Sequence, residues 1–296
     1  MTKVPEPSAG LVDAAQTQAD AELAPAESVA TGATNSNPAI VNPVTDDAFL
    51  GGELRILQPK RGYRAGIDAV LLAAAIDEKH AADGPLLDLG AGVGTVGLCA
   101  ARRLGSLNVT LMEKQPELCD LARQNIERND LAGRVTCLEA AIGASTAQIH
   151  SIGLRDNSFA YVVANPPFMG ARQGTPSCER LKAASHAMDE AQNLNDWGRF
   201  MARMAQQGGT ALMIHKAEAL SEVLASFAGR FGSISVLPIY PRKGEPANRV
   251  IVRGIKGSRG SLVIHPGLVL HSQGNAFTPE IDAVLRLGQP LPVAKS

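Results

Sequence analysis

The sequence predicts an α/β fold, a mostly parallel sheet of seven strands with one antiparallel member and helices on both faces. Three observations lead there. Short apolar runs alternate with helical stretches from Gly66 to Ile214, which implies right-handed crossovers between parallel strands. Two later runs, Ile234 to Ile239 and Arg249 to Arg253, leave no room for a helix between them, so a hairpin joins them and one strand runs antiparallel. Finally, Gly90-Ala91-Gly92-Val93-Gly94 sits between an apolar run and a helical one, at the kind of turn where such sheets hold ligands.

Taken in order, residues 1–45 are rich in Ala, Pro, Thr, Ser and acids and show no periodicity. Such a segment buries too little apolar area to offset its ordering entropy and reads as a disordered tail. Residues 46–296 form the folded domain. An apolar helix opens at Ile67 and runs to Ala73. Leu86–Leu89 is a short buried strand, Thr95–Leu104 a helix, Val109–Met112 a second strand, and Pro116–Arg128 an amphipathic helix. Strands follow at Arg134–Leu138 and Phe159–Ala164, then a helix from Asp196 to Ala205 and a strand at Thr210–Ile214. After the hairpin pair, residues 260–296 form a small β-rich C-terminal extension ending in a helix, Pro279–Leu287.

Hydrophobic residues make up 45% of the chain and charged ones 19%, enough for a substantial core. The net charge of −1 conceals an asymmetry. Residues 1–50 carry seven acidic side chains against Lys3 alone, and the remainder carries 27 basic against 22 acidic. The folded part is therefore mildly basic, which permits an anionic partner. Cys99, Cys119, Cys137 and Cys178 show no metal-ligand spacing and read as thiols of a reducing compartment. No apolar run approaches the ~20 residues that cross a bilayer, and Lys3 is followed by no apolar signal region. The expected location is the cytoplasm, with no membrane association.

The glycine-rich turn is the candidate cofactor site. Gly92-x-Gly94-x-x-Gly97 matches the dinucleotide fingerprint by letter. Asp88, two residues before Gly90, favours instead a ligand with an ammonium group, as in S-adenosylmethionine (SAM). Glu113 ends the second strand, where a carboxylate can accept both hydroxyls of a ribose from either cofactor. The expected cofactor pocket uses Asp88, Gly90, Gly92 and Glu113, with Asn165 at its far wall.

Asn165-Pro166-Pro167-Phe168 closes the strand Phe159–Ala164. The exocyclic amine of adenine is a poor nucleophile because its lone pair is delocalised into the ring. The side-chain carbonyl of Asn165 and the main-chain carbonyl of Pro166 can each accept one of its N–H bonds, favouring a more tetrahedral nitrogen. Two successive prolines lack N–H donors and hold the loop stiff. Phe168 offers a stacking face, worth ~1–3 kcal/mol in nucleic-acid sites. Asn165, Pro166 and Phe168 are the catalytic candidates. Pro167, Arg242, Lys243 and Arg249 are the substrate-binding candidates, the basic three for contact with phosphate. Arg64 and Asp68 stand near the expected pocket, Asp68 also as a helix cap. His215 reads as a packing residue or the holder of a strand-end hydrogen bond, and Trp197 as a core anchor. The chemistry calls for no metal.

These segments resemble the class I SAM-dependent methyltransferases, a Rossmann-like family, and within them the bacterial group that methylates the N6 amine of an adenine in a valine tRNA. The resemblance covers about residues 48 to 288 and is carried by the two motifs above. Gly62–Ala73, Tyr240–Val250 and Phe277–Glu280 support it. It implies SAM as methyl donor and RNA, tRNA foremost, as partner. Ala141 stands where the group commonly has an acid that reads the cofactor's adenine, and Phe168 where Tyr is commoner. Two other readings stay open. One keeps the chemistry but takes a protein glutamine amide (N5) or rRNA guanine N2 as acceptor; the other is a SAM- or NAD-binding module without turnover.

Overall fold

The computed structural model describes residues 43–61, 64–78, 84–167 and 193–292. The tail assigned to residues 1–45 lies almost wholly outside them, as do Phe168, Arg172, Arg180, Lys182, His186 and Cys178.

The domain opens with a hairpin that the alternation of the chain did not lead us to expect. Strands β1 (Val44–Phe49) and β2 (Leu54–Pro59) pair antiparallel. Leu54 and Ile56 are fully buried, each contributing about 1.5–3 kcal/mol by burial. The free edge of β2 is satisfied by two side chains one helical turn apart, Asn125 on α3 (Pro116–Arg128) and Asn129 at its C-cap. Asn125 bonds both main-chain groups of Leu57, at 2.7 and 3.0 Å, and Asn129 those of Arg55, at 2.9 and 2.8 Å. Two amides four residues apart thus imitate a neighbouring strand.

After α1 (Ile67–Ala74), strands and helices alternate: β3 (Leu86–Leu89), α2 (Thr95–Arg103), β4 (Val109–Glu113), α3, β5 (Val135–Glu139), α4 (Thr146–Ser151) and β6 (Phe159–Ala164). Then come α5 (Leu194–Met204), β7 (Ala205–Lys216), α6 (Leu220–Phe227), β8 (Phe231–Arg242) and β9 (Arg249–Lys256). The sheet runs in the order β8-β9-β7-β6-β3-β4-β5, parallel except for β9. These are the seven expected strands. The C-terminal extension adds two short ones, β10 (Val263–Ile264) and β11 (Leu268–His271), both parallel to β8, so the sheet has nine, and α7 (Pro279–Leu287) follows.

Strand alternation sends successive side chains to two cores. Leu86, Leu111, Val163 and Ile214 pack with α1, α2, α3 and α7; Leu87, Leu89, Met112, Ala164 and Met213 pack with α5 and α6. Winding proceeds outward from β3 through β4 to β5, then resumes on the other side at β6. The reversal leaves a crevice at the C-terminal ends of β3 and β6. No helix among the described residues is long and apolar enough to cross a membrane.

Candidate active site and cofactor cavity

A cavity of about 470 Å³ occupies that crevice. It is lined on one side by the glycine-rich turn and Glu113, and on the other by Asn165, Pro166 and Pro167. The two motifs, more than 70 residues apart in the chain, meet because Leu89 and Ala164 are paired neighbours at the ends of β3 and β6.

The turn is held by main-chain bonds from Ala91 N to Met112 O (3.0 Å) and from Gly94 N to Ala91 O (2.8 Å). Gly90 has φ +61, and a Cβ there would lie 2.6 Å from the Trp197 ring. Trp197 therefore seals the turn from the α5 side while also lining the cavity, a wall as well as the core anchor expected of it. Gly92 has φ +57 and open space where a Cβ would stand, so its bare backbone faces the cavity.

Glu113 ties the turn to its strand. Its Oε2 accepts from Gly92 N (2.9 Å), and its Oε1 accepts from Lys114 N (2.9 Å) and Gln115 N (3.0 Å). A carboxylate offers about four lone-pair sites. Three are engaged, so the group is fixed in orientation yet retains capacity on Oε2.

Asp88 is not on the cavity wall. Strand alternation turns it toward α2, where it is 1% exposed and its Oδ2 accepts from Gly97 N at 2.9 Å. The N-cap of α2 is Gly94, which has no side chain to cap with, so Asp88 supplies the missing acceptor from the neighbouring strand. The cofactor contact expected of Asp88 is thus replaced by support of the turn from beneath. Burial pushes its carboxyl up to about 7; the Gly97 bond opposes the rise and the charge of Glu113 adds to it. Between pH 3.8 and about 7 the folded protein therefore keeps a proton that the unfolded chain has released. Stability contributed by Asp88 falls as pH rises through that window. In Asp88→Asn, which still accepts from Gly97, this slope should vanish. Thermal melts at pH 5 and 8 should show the variant gaining on wild type by on the order of 5 °C at the higher pH. A difference independent of pH would exonerate Asp88.

The basic candidates do not line the cavity. Arg249 Nε is 2.9 Å from Asp68 Oδ2, joining β9 to α1. Arg242 donates to Gly274 O and Asn275 Oδ1, both at 3.1 Å, while Lys243 beside it is exposed. Arg64 pairs with Asp47 at 2.6 Å. The cavity instead takes in side chains that carry no expected site role, His215 among them. Leu118 and Ile142 add apolar lining, and His215, Lys216 and Glu222 line the same cavity. The signal for His215 was its place at the C-terminal end of a buried parallel strand, two residues past Met213, the partner of Ala164. Among the described residues no group of His, Cys, Asp and Glu could hold a metal.

The family described as the methyltransferase small domain matches residues 65–202. A solved structure of a predicted O-methyltransferase from Agrobacterium tumefaciens is 32% identical, covering 73% of this chain and 94% of that one, with a TM-score of 0.61. The chain belongs to the SAM-dependent methyltransferases. The tRNA1(Val) (adenine(37)-N6)-methyltransferase of Christiangramia forsetii is 24% identical to this methyltransferase over 166 residues, 51% of this chain and 67% of that protein. The release factor glutamine methyltransferase of Vibrio cholerae is 33% identical over 104 residues, 33% of this chain and 32% of the relative. Across the first curated relatives the methyltransferase spans 53% to 67% of their length. SAM is the methyl donor, and the residues present fit it. Gly92 leaves a bare cradle, Glu113 is a fixed carboxylate with acceptor capacity, and Leu118 and Ile142 give an apolar flank.

Proposed function

We propose that this methyltransferase acts on the exocyclic N6 amine of an adenine in RNA, tRNA foremost, in the cytoplasm. The observation that carries the reading is that Asn165 and Pro166 share a wall of the cavity holding Gly92 and Glu113. SAM supplies a methyl group on a cationic sulfur, an intrinsically good electrophile. The protein's task is to bring a weak amine in line with it, and positioning of that kind contributes about 7–11 kcal/mol.

In this reading Glu113 accepts the ribose hydroxyls and the turn approaches the cofactor through Gly90 and Gly92. Asn165 Oδ1 and Pro166 O accept the two N–H bonds of the acceptor amine, and Phe168 supplies the stacking face. The Oδ1 of Asn165 is shielded from solvent in this structure. With no acidic side chain at Ala141, the cofactor's adenine is left to main-chain groups and the apolar flank. The target base must be unpaired or flipped out for its amine to reach the clamp. The V. cholerae relative favours a second reading, a glutamine amide of a protein, which presents the same planar NH₂ to the same acceptors.

Transfer of labelled methyl from SAM to bulk tRNA, rRNA and release-factor protein separates the acceptors, and label in tRNA alone is expected. Lys243, exposed on the β8–β9 loop, is the candidate for phosphate contact, with Arg242 held beside it. Lys243→Ala should weaken tRNA binding uniformly across sequences and reduce the slope of log K against log salt by about 1. Adding Arg242→Ala should cost more affinity. An unchanged slope in filter binding would make this loop ordinary surface.

A further inference from the structure

His215 is a buried imidazole, 7% exposed, in the wall of the reactive cavity. It stands on β7, next to β6, whose C-terminal end leads into Asn165, on the face shared with Trp197 and α6. The clamp gives it a chemical context. As the amine attacks, its lone pair forms the new N–C bond, and the C–S bond breaks with both electrons left on sulfur. The nitrogen then carries a positive charge and must lose a proton, returning the N–H electron pair to nitrogen. The carbonyls of Asn165 and Pro166 can orient those N–H bonds but do not hold a proton near neutral pH. Glu113 is engaged by three main-chain amides and, in the proposed reading, by the ribose hydroxyls, and Asp88 faces away under α2.

We infer that His215 accepts the proton released by the acceptor nitrogen and passes it toward the exposed Glu222, which lines the same cavity. This rests on the amine-methylation reading above. Burial holds the imidazole below its ordinary 6.5, with Lys216 on its own strand and Arg249 on β9 adding to the lowering through their charges. A hydrogen bond with the Lys216 backbone and the charge of Glu222 on α6 oppose it. Two further charges are partly compensated nearby: Glu218 pairs with Lys216 at 3.1 Å, and Asp68 on α1 pairs with Arg249. At neutral pH the ring is therefore the free base, ready to accept. As pH falls through its lowered pKa, the ring arrives already protonated and transfer slows.

The test is single-turnover methyl transfer from labelled SAM to bulk tRNA, from about pH 5.5 to about pH 8.5, in wild type, His215→Gln and His215→Ala. Wild type should show an acid limb with its midpoint below 6.5. His215→Gln should be slower at neutral pH by about 10²-fold and should lack that limb, with SAM affinity by calorimetry unchanged. Added imidazoles should rescue His215→Ala in the order of their basicity, which a side chain acting only in packing would not show. A His215→Gln enzyme with the wild-type rate and profile overturns the inference, and so does rescue indifferent to basicity. Label delivered by wild type to none of tRNA, rRNA or protein overturns the function reading itself and takes this inference with it. Wild-type turnover with an indifferent His215→Gln removes only the inference.

Discussion

Asn165→Ala is expected to lower the methyl-transfer rate by about 10²–10³-fold while leaving SAM affinity within about twofold, by analogy with loss of a preorganised hydrogen-bonding group. The division follows from position. Asn165 lies past the end of β6 and is proposed for the acceptor, whereas the turn and Glu113, proposed for the cofactor, are braced by their own bonds. Removing the side-chain amide leaves those bonds intact. What is lost, on the proposed reading, is one of two acceptors that bias the amine toward a tetrahedral nitrogen, a requirement of the transition state more than of substrate binding. The rate constant should therefore fall more than KM rises. Calorimetry showing SAM affinity collapsing in step with the rate would place Asn165 in the cofactor site.

The second large effect is expected at Glu113. Glu113→Ala removes the acceptor for three main-chain N–H groups at once and with it the tie between the turn and β4. Hydrogen bonds to a charged partner contribute roughly 1.5–3 kcal/mol each, so SAM affinity should fall by about 10²-fold or more, with a lower melting temperature. Glu113→Gln should be nearly as damaging. One end of its amide is an NH₂ donor, and the carboxylate it replaces has N–H donors at both oxygens. Isothermal titration of both variants with SAM checks this. A glutamine variant that binds as wild type would mean that the Gly92 bond opens when the cofactor enters.

The seven main strands were legible because buried parallel strands read as short apolar runs, and β3 and β6 were placed to the residue. The hairpin β1–β2 was not. Its alternation, Leu54-x-Ile56-x-Gln58, is short, and what holds it are Asn125 and Asn129, about 70 residues along the chain, whose role only tertiary contact reveals. The helix α4 carries a capping box, Ser145 with Gln148, that marks its start, yet it is six residues long and lacks a strong apolar period. At the site, the glycines, Glu113 and Asn165 could be placed in one crevice because topology brings the C-terminal ends of adjacent strands together. Asp88 could not be placed by motif alone. Its side is set by strand parity between Leu87 and Leu89, and that parity points it at Gly97 beneath the turn. For His215 the apolar run ends at Ile214, which suggests packing or a strand-end hydrogen bond, whereas β7 continues to Lys216 and carries it into the cavity wall.

The central claim, that an adenine N6 amine in tRNA is the acceptor, is tested most directly by nucleoside mass spectrometry. Bulk tRNA from a strain lacking the protein is incubated with purified enzyme and SAM, in parallel with the Asn165→Ala variant. New N6-methyladenosine with wild type and almost none with the variant is the predicted result. SAM bound by wild type with no gain of N6-methyladenosine in tRNA would contradict it.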